Sequence, residues 1–311
     1  MISGPKQPKD LGSFLAPLDD ELVLLAAGIP TFHTKRSKEF EMHAYCILEL
    51  GDIVAMEKML GIKGHNGFCP CRSCEITGVR MKSLGGKVYY VPLTFPSNYI
   101  DGKGSSWDPA ALPVRTQAAI NKALVDISDA ETQIAKNKIS MATGIRETSA
   151  LTRIGSLDHS RSAPWDWMHL FLENVAQNLI KLWIGEFKGL DTGTEDYKLS
   201  GVVWQQIGRE TKEATRSIPS AFVRALGNIA EDRSLFTAES WCFWFLHLAP
   251  ILLCGRFKKE KYYIHACDFV RIMKISLRFT LTTDDVDELE ALIISWVKRY
   301  ERYVTIMINQ V

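Results

Sequence analysis

The chain has 311 residues, of which 46% are hydrophobic and 23% charged, a mixture that buries a large core and argues against a disordered or fibrous protein. Lys and Arg number 37 against 36 Asp and Glu, so the net charge of +1 gives no global support for a free-standing nucleic-acid-binding domain. The start, Met1-Ile2-Ser3-Gly4-Pro5-Lys6, lacks the apolar core of a secretory leader, and the apolar run Trp241–Cys254 is broken by His247 and Pro250 and too short to span a bilayer. The sequence therefore predicts a soluble, intracellular protein.

Leu11–Ile29 has helical spacing, with Leu15, Leu18, Leu22, Leu24 and Leu25 on or near one face, and Gly28 and Pro30 stop it. Phe40–Leu50 is mostly apolar and reads as a buried strand, although Glu41 and Glu49 leave a helix open. Ala55–Leu60 reads as a short helix ended by Gly61. From Gly61 to Gly86 the chain is rich in Gly, Cys and Pro without periodicity, the signature of a structured loop that needs a staple. Val88–Pro92 is strand-like, Pro92–Pro113 a loop, and Gln117–Ile139 an alanine-rich surface helix. From Asp166 onward helices are predicted over Trp167–Trp183, Val202–Thr215, Ala221–Ala230, Ala238–Leu253, Tyr262–Arg278 and Asp284–Tyr303. For the last, Thr283 reads as the N-cap, with Asp284, Asp285 and Asp287 matching the helix dipole.

Two basic stretches stand out against the balanced total. One holds Lys58, Lys63, Arg72, Arg80, Lys82 and Lys87, and the other runs from Arg256 to Lys261. Either could contact phosphates, though short charge runs are more often solvated faces.

Seven cysteines, an odd number, argue against a disulfide framework. Cys46, Cys242, Cys254 and Cys267 lie in apolar segments and read as small core residues. Cys69-Pro70-Cys71-Arg72-Ser73-Cys74 is different: two thiolates spaced as Cys-x-x-Cys can grip one ion and form half of a tetrahedral zinc site. The best candidate for the other half is Asp166-Trp-Met-His169, whose spacing sets a carboxylate and an imidazole on one side of a helical turn. His65, Cys69 and His159 are reserve ligands. A redox pair is the competing reading, but no thioredoxin-like pattern surrounds the cysteines. Taken singly, Asp166 reads as an N-cap and His169 as a core histidine.

Three strings, Gly64–Arg80 (GHNGFCPCRSCEITGVR), Asp166–Asp191 (DWMHLFLENVAQNLIKLWIGEFKGLD) and Asn228–Leu253 (NIAEDRSLFTAESWCFWFLHLAPILL), resemble the transposase of CACTA-type (En/Spm-like) elements, particularly those abundant in basidiomycete fungi. The resemblance runs from Gly4–Asp10 to Ile294–Tyr303. It implies an α/β plus α fold: a partial ribonuclease-H-like core, a zinc-knuckle loop and a large all-helical insertion. The corresponding segments are 1–60, 61–165 and 166–311. In such enzymes three carboxylates hold two Mg²⁺ ions for phosphodiester cleavage and strand transfer.

The second of those acids matches Asp52, after the apolar run ILELGD. Cys71, Cys74, Asp166 and His169 match a motif thought to bind structural zinc. The first acid is expected upstream of Gly4, and the third, in an E-R-Y-like motif, beyond Tyr303, where Val304–Val311 departs from the pattern. Glu173, Glu231 and Glu239 read as structural or helix-end charges. The expectation is a piece of a DDE-type transposase, inactive alone, that binds transposon-end DNA in the nucleus, forms homo-oligomers and is not membrane-bound. A zinc-stabilised, non-catalytic DNA- or protein-binding module of transposon origin is the alternative. A missing half of the sheet would leave apolar surface exposed.

Overall fold

A computed structural model describes residues 10–80, 89–94, 107–187 and 195–308. The chain divides into two compact units, one made of Met1–Pro92 with Ala111–Asp166, the other of Leu93–Ala110 with Trp167–Val311.

The first unit opens with helix α1 (Leu11–Ala27), capped by the Asp10 carboxylate accepting from the Ser13 N–H at 3.1 Å. Its apolar residues divide. Leu15 and Leu22 pack on Leu151, Ile154 and Leu157, while Leu18 and Leu24 face outward, so the single leucine face read from the sequence splits in two. Strands β1 (Ile29–His33) and β2 (Lys38–Met42) form an antiparallel hairpin with Ile29 opposite Met42 and His33 opposite Lys38.

Of the buried strand expected over Phe40–Leu50, only Phe40–Met42 is strand, as the end of β2, and β2 is mostly exposed. Residues 43–50 belong to no helix or strand among the described residues, and Tyr45, Ile47, Leu48 and Leu50 are exposed. Instead of a sheet, this segment meets the loop at 156–162: Ser156 Oγ donates to the Cys46 carbonyl at 2.6 Å and the Glu49 N–H to the Ser162 carbonyl at 2.7 Å. Glu49 then turns inward. It is 4% exposed and its Oε1 meets His159 Nδ1 at 2.8 Å, which is why an apolar run contains a glutamate.

Helix α2 (Ile53–Met59) follows, its C-cap Leu60 standing just before the Gly61 expected to end it. Gly61 has φ +63°, and a Cβ there would lie 2.2 Å from the Glu147 carbonyl oxygen. The close approach lets the Gly61 carbonyl accept from both Arg146 and Glu147. A core of Met56, Leu60, Ile62, Ile120, Ala123, Ile145 and Ala163 gathers around this crossing. Strands β3 (Val79–Arg80) and β4 (Tyr89–Tyr90) form a second antiparallel pair. Among the described residues the strands make two two-stranded ribbons. The single helix expected over Gln117–Ile139 is two, α3 (Gln117–Asp129) and α4 (Gln133–Thr143). Each is started by a threonine cap, Thr116 and Thr132, and the second cap interrupts what alanine-rich periodicity made continuous.

The regular elements of the second unit, among its described residues, are all helices. A nine-residue π-helix (Met168–Ala176) runs into α5 (Gln177–Ile184), followed by α6 (Gly201–Ala214), α7 (Ile229–Asp232) and α8 (Ala238–Phe243). A second π segment (Trp244–Leu248) leads to α9 (Ala249–Leu252), α10 (Glu260–Ser276) and α11 (Thr283–Ile308). The core is aromatic: Trp183, Trp204, Trp241, Trp244, Phe245 and Phe269 are buried together, and the Trp244 indole N–H donates to Thr211 Oγ1 at 3.0 Å.

Two helical expectations need correcting. Ala221–Ala230 is helical only from Ile229, because Asn228 uses its side chain to cap Ala230 N–H, and Phe222 is left exposed. The cap of α11 is Thr282, one residue earlier than read. Its hydroxyl accepts from Asp285 N–H at 3.2 Å while the Asp285 carboxylate accepts from Thr282 N–H at 2.9 Å, a reciprocal capping box.

The basic run Arg256–Lys261 is largely paired. Arg256 bonds Glu210 at 2.9 Å, Lys259 pairs with Asp196, and Lys261 lies over the Tyr262 and Tyr303 rings. Three of its cations thus have partners on the protein, which supports the bland reading of that run. No helix among the described residues is long and apolar enough to cross a membrane.

Candidate metal centre

The cysteine loop is held from outside rather than by its own periodicity. Gly78 N–H donates to the Phe68 carbonyl at 2.8 Å, Glu75 N–H to Pro113 at 2.8 Å and Arg115 N–H to Ser73 at 3.0 Å. The segment at 113–115 therefore runs antiparallel to the loop, with Cys74 opposite Val114. From below, Gly144 (φ +75°) brings its backbone so close that a Cβ would lie 2.2 Å from the Cys69 carbonyl oxygen.

Within the loop, Cys71 Sγ accepts from Ser73 N–H and Cys74 N–H, each at 3.3 Å. Two backbone donors converging on one sulfur favour its thiolate. The Cys74 thiol, donating to it, and these N–H groups hold the Cys71 thiol down, to about 6, against the opposing effect of burial. Cys74 gives up its S–H in that bond and is correspondingly pushed up, and burial raises Cys69. Cys69 and Cys74 are buried, at 2% and 6% exposure.

The centre of the loop is Arg115, which is 3% exposed. Its Nη1 donates to the Thr143 carbonyl at 2.8 Å. Its Nη2 donates to the Cys71 carbonyl at 3.0 Å and Cys69 Sγ at 3.4 Å, and Nε reaches the Cys71 carbonyl at 3.3 Å. Among the described residues no carboxylate pairs with it. A buried guanidinium without a carboxylate is costly unless another anion compensates it, and the Cys71 sulfur, whose charged form Arg115 supports, is the anion beside it.

Arg72 lies on the same loop. Its guanidinium sits 4.2 Å from the Trp165 ring centroid and donates through Nη2 to the Pro164 carbonyl at 2.6 Å. Burial works against its charge, while the charges of Cys71 and Asp166 support it. Asp166 is thereby brought to the neighbourhood of the cysteine loop, within the same unit.

His169 belongs to the second unit, on the π-helix, where its Nε2 is 3.7 Å from Glu173 Oε2 and its carbonyl accepts from Asn174 Nδ2 at 2.7 Å. The reserve histidines have other partners. His65 uses Nδ1 on Glu57 at 2.6 Å and Nε2 on Asn66 at 2.8 Å, and His159 uses Nδ1 on Glu49. Among the described residues no three His, Cys, Asp or Glu side chains are gathered closely enough to hold a metal as they stand.

Cys71 and Cys74 are thus two soft donors, half of the set that a tetrahedral zinc ion needs. Asp52 is half-buried and caps α2, its Oδ1 accepting from Ala55 N–H at 2.6 Å. Glu231 and Glu239 lie in the first turns of α7 and α8, as helix-end charges do.

Sequence reasoning missed Arg115 altogether. An arginine in a loop just before a helix N-cap carries no periodic or spacing signal, and its role exists only once the cysteine loop folds over it. Glu49 was visible as a charge in an apolar run, a signal of an internal partner.

No curated protein and no solved structure matches the chain. Residues 1–95, which include α1, the hairpin, α2 and the cysteine loop, match the sequence model of the transposase family tnp2, and in this region the chain is similar to that family.

Proposed function

We propose that the chain is part of a DNA transposase of the CACTA (En/Spm-like) type, of the kind abundant in basidiomycete fungi, and that it does not cleave DNA by itself. The observation that carries this reading is the match of residues 1–95 to a transposase family, joined by the long strings at Asp166–Asp191 and Asn228–Leu253. Its partner is transposon-end DNA, which the family would bind in the nucleus.

In a DDE enzyme of ribonuclease-H-like fold, Asp52 would be one of three acids holding Mg²⁺. Here the Asp52 carboxylate is engaged as a helix cap, a role that explains its position fully without a metal. The reading predicts that a supercoiled plasmid incubated with the chain and Mg²⁺ or Mn²⁺ stays intact, with wild type and Asp52→Ala indistinguishable. Nicking by wild type that Asp52→Ala abolishes would overturn the inactivity and restore Asp52 as a catalytic acid.

A second reading, a non-catalytic zinc-stabilised module that binds DNA or protein, draws on the cysteine loop itself. Cys71 and Cys74 would supply thiolates, with Asp166 and His169 as the expected complement. Gel retardation on duplex DNA at low and raised salt separates the partners: binding that weakens steeply with salt marks a phosphate-contacting surface, and no retention at low salt argues against DNA.

A further inference from the structure

We propose that Arg115 takes the place of a structural metal ion in this chain, so that the cysteine loop folds and stays closed with no metal bound. Cys71 and Cys74 remain two sulfurs that an added ion can take. What closes the loop is an arginine, which changes the second reading above in one respect: the module is not held together by zinc.

A structural ion in a loop without periodicity is a cross-link, joining points that have no ladder of their own. Arg115 makes that cross-link with hydrogen bonds. Its guanidinium, in a side chain that is 3% exposed, reaches the Cys71 carbonyl through Nη2 at 3.0 Å and Nε at 3.3 Å. Nη2 also approaches the Cys74 carbonyl at 3.5 Å and Cys69 Sγ at 3.4 Å. On the far side, Nη1 donates to the Thr143 carbonyl at the end of α4 at 2.8 Å. One side chain thus spans the loop from Cys69 to Cys74 and ties it to a helix. The backbone continues the clasp, with Arg115 N–H donating to Ser73 at 3.0 Å and Glu75 N–H to Pro113 at 2.8 Å.

The sulfurs belong to the same closed arrangement. Cys71 Sγ accepts from Ser73 N–H and Cys74 N–H, each at 3.3 Å, and Cys69 Sγ faces the guanidinium. An ion drawn to Cys69 has to displace a buried cation from that sulfur, and like charge opposes its approach. Among the described residues no three His, Cys, Asp or Glu are grouped to hold an ion. The imidazoles of the first unit that were reserve ligands are engaged elsewhere, His65 on Glu57 and Asn66 and His159 on Glu49. A site of thiolates gives up its ion to a chelator, whereas hydrogen bonds from the chain's own arginine do not respond to one.

Refolding in a chelator tests this. The full chain is unfolded in urea with EDTA and a reductant, refolded with EDTA present or with added Zn²⁺, and followed by hydrogen exchange. Equal protection over residues 69–80 and 113–116 in the two preparations, within about twofold, is the expected result. The double variant Cys71→Ser, Cys74→Ser keeps that protection, because a serine oxygen accepts the same N–H bonds. Arg115→Met exchanges there about tenfold faster or more, as the loss of its hydrogen bonds implies.

Protection that returns only with Zn²⁺ overturns the proposal and makes the loop a metal site. Unchanged protection in Arg115→Met overturns the part given to Arg115. Should that variant fail to fold, Arg115→Lys is read in its place, since one ammonium cannot reach both the loop and Thr143: faster exchange at the loop supports the proposal, and wild-type exchange overturns it.

Discussion

Replacing Arg115 by methionine removes the guanidinium from the centre of the cysteine loop while keeping a long apolar stem. Two part-buried carbonyls, of Thr143 and Cys71, lose donors at 2.8 and 3.0 Å, and Cys69 Sγ loses its contact. Each unsatisfied carbonyl costs about 1–3 kcal/mol, so the gross loss is roughly 2–6 kcal/mol. Removing a desolvated charge offsets part of it, and a net destabilisation of about 2–4 kcal/mol is expected. The comparison that makes this informative is Arg72→Met. Arg72 is also buried, but among the described residues its Nε and Nη1 have no hydrogen-bond partner, so removing it relieves unpaired donors while losing the Pro164 bond, the Trp165 stacking and the support of the Cys71 and Asp166 charges. That variant is expected to stay within about 1 kcal/mol of wild type. Urea unfolding followed by circular dichroism, run on both variants without added metal, measures the difference. Equal stability of the two variants would refute the claim that Arg115 organises the loop.

Other outcomes follow from single contacts. His265, buried between α10 and α11 and stacked on Trp296 at 4.5 Å, is pushed down to about 4 by burial, so it is neutral in the folded chain. The unfolded chain takes up its proton near pH 6.5. The stability it contributes is therefore present above pH 6.5 and lost as pH falls toward 4, by up to about 3 kcal/mol, and His265→Phe should flatten urea midpoints over that window relative to wild type. If the two proteins share the same acid slope, His265 is not buried neutral. Gly144→Ala places a Cβ 2.2 Å from the Cys69 carbonyl at a left-handed backbone position, and a loss above about 2 kcal/mol is expected in thermal unfolding. Thr282→Ala removes one side of the α11 capping box, and a loss of about 1 kcal/mol should appear, smaller than that of Gly144→Ala.

The helices of the second unit were legible because burial of one face imposes a 3.6-residue period, as in α6, α10 and α11, on which Trp204, Ile207, Phe269, Met273 and Trp296 turn to a common core. Periodicity alone does not encode local competition by side chains. Asn228 and Thr132 each take a cap role that cuts a helix the pattern would continue, and the π turns at Met168–Ala176 and Trp244–Leu248 keep helical spacing while changing the hydrogen-bond step. The segment 43–50 misled for a different reason. Its aromatic and aliphatic content fits a strand, yet Tyr45, Ile47, Leu48 and Leu50 are exposed and only Glu49 turns deeply inward.

At the candidate site, the spacing of Cys71 and Cys74 was readable because it is local. Asp166 was read as a ligand partner of Cys71 and Cys74; in the fold its charge supports that of Arg72. Arg115, 41 residues beyond Cys74, depends on a loop-to-loop contact that no sequence pattern carries.

The zinc reading stands on the sulfurs of Cys71 and Cys74. X-ray absorption at the zinc edge of the purified, zinc-loaded chain counts those sulfurs directly. A shell that includes sulfur neighbours at about 2.3 Å is predicted; a shell of lighter donors alone would contradict it.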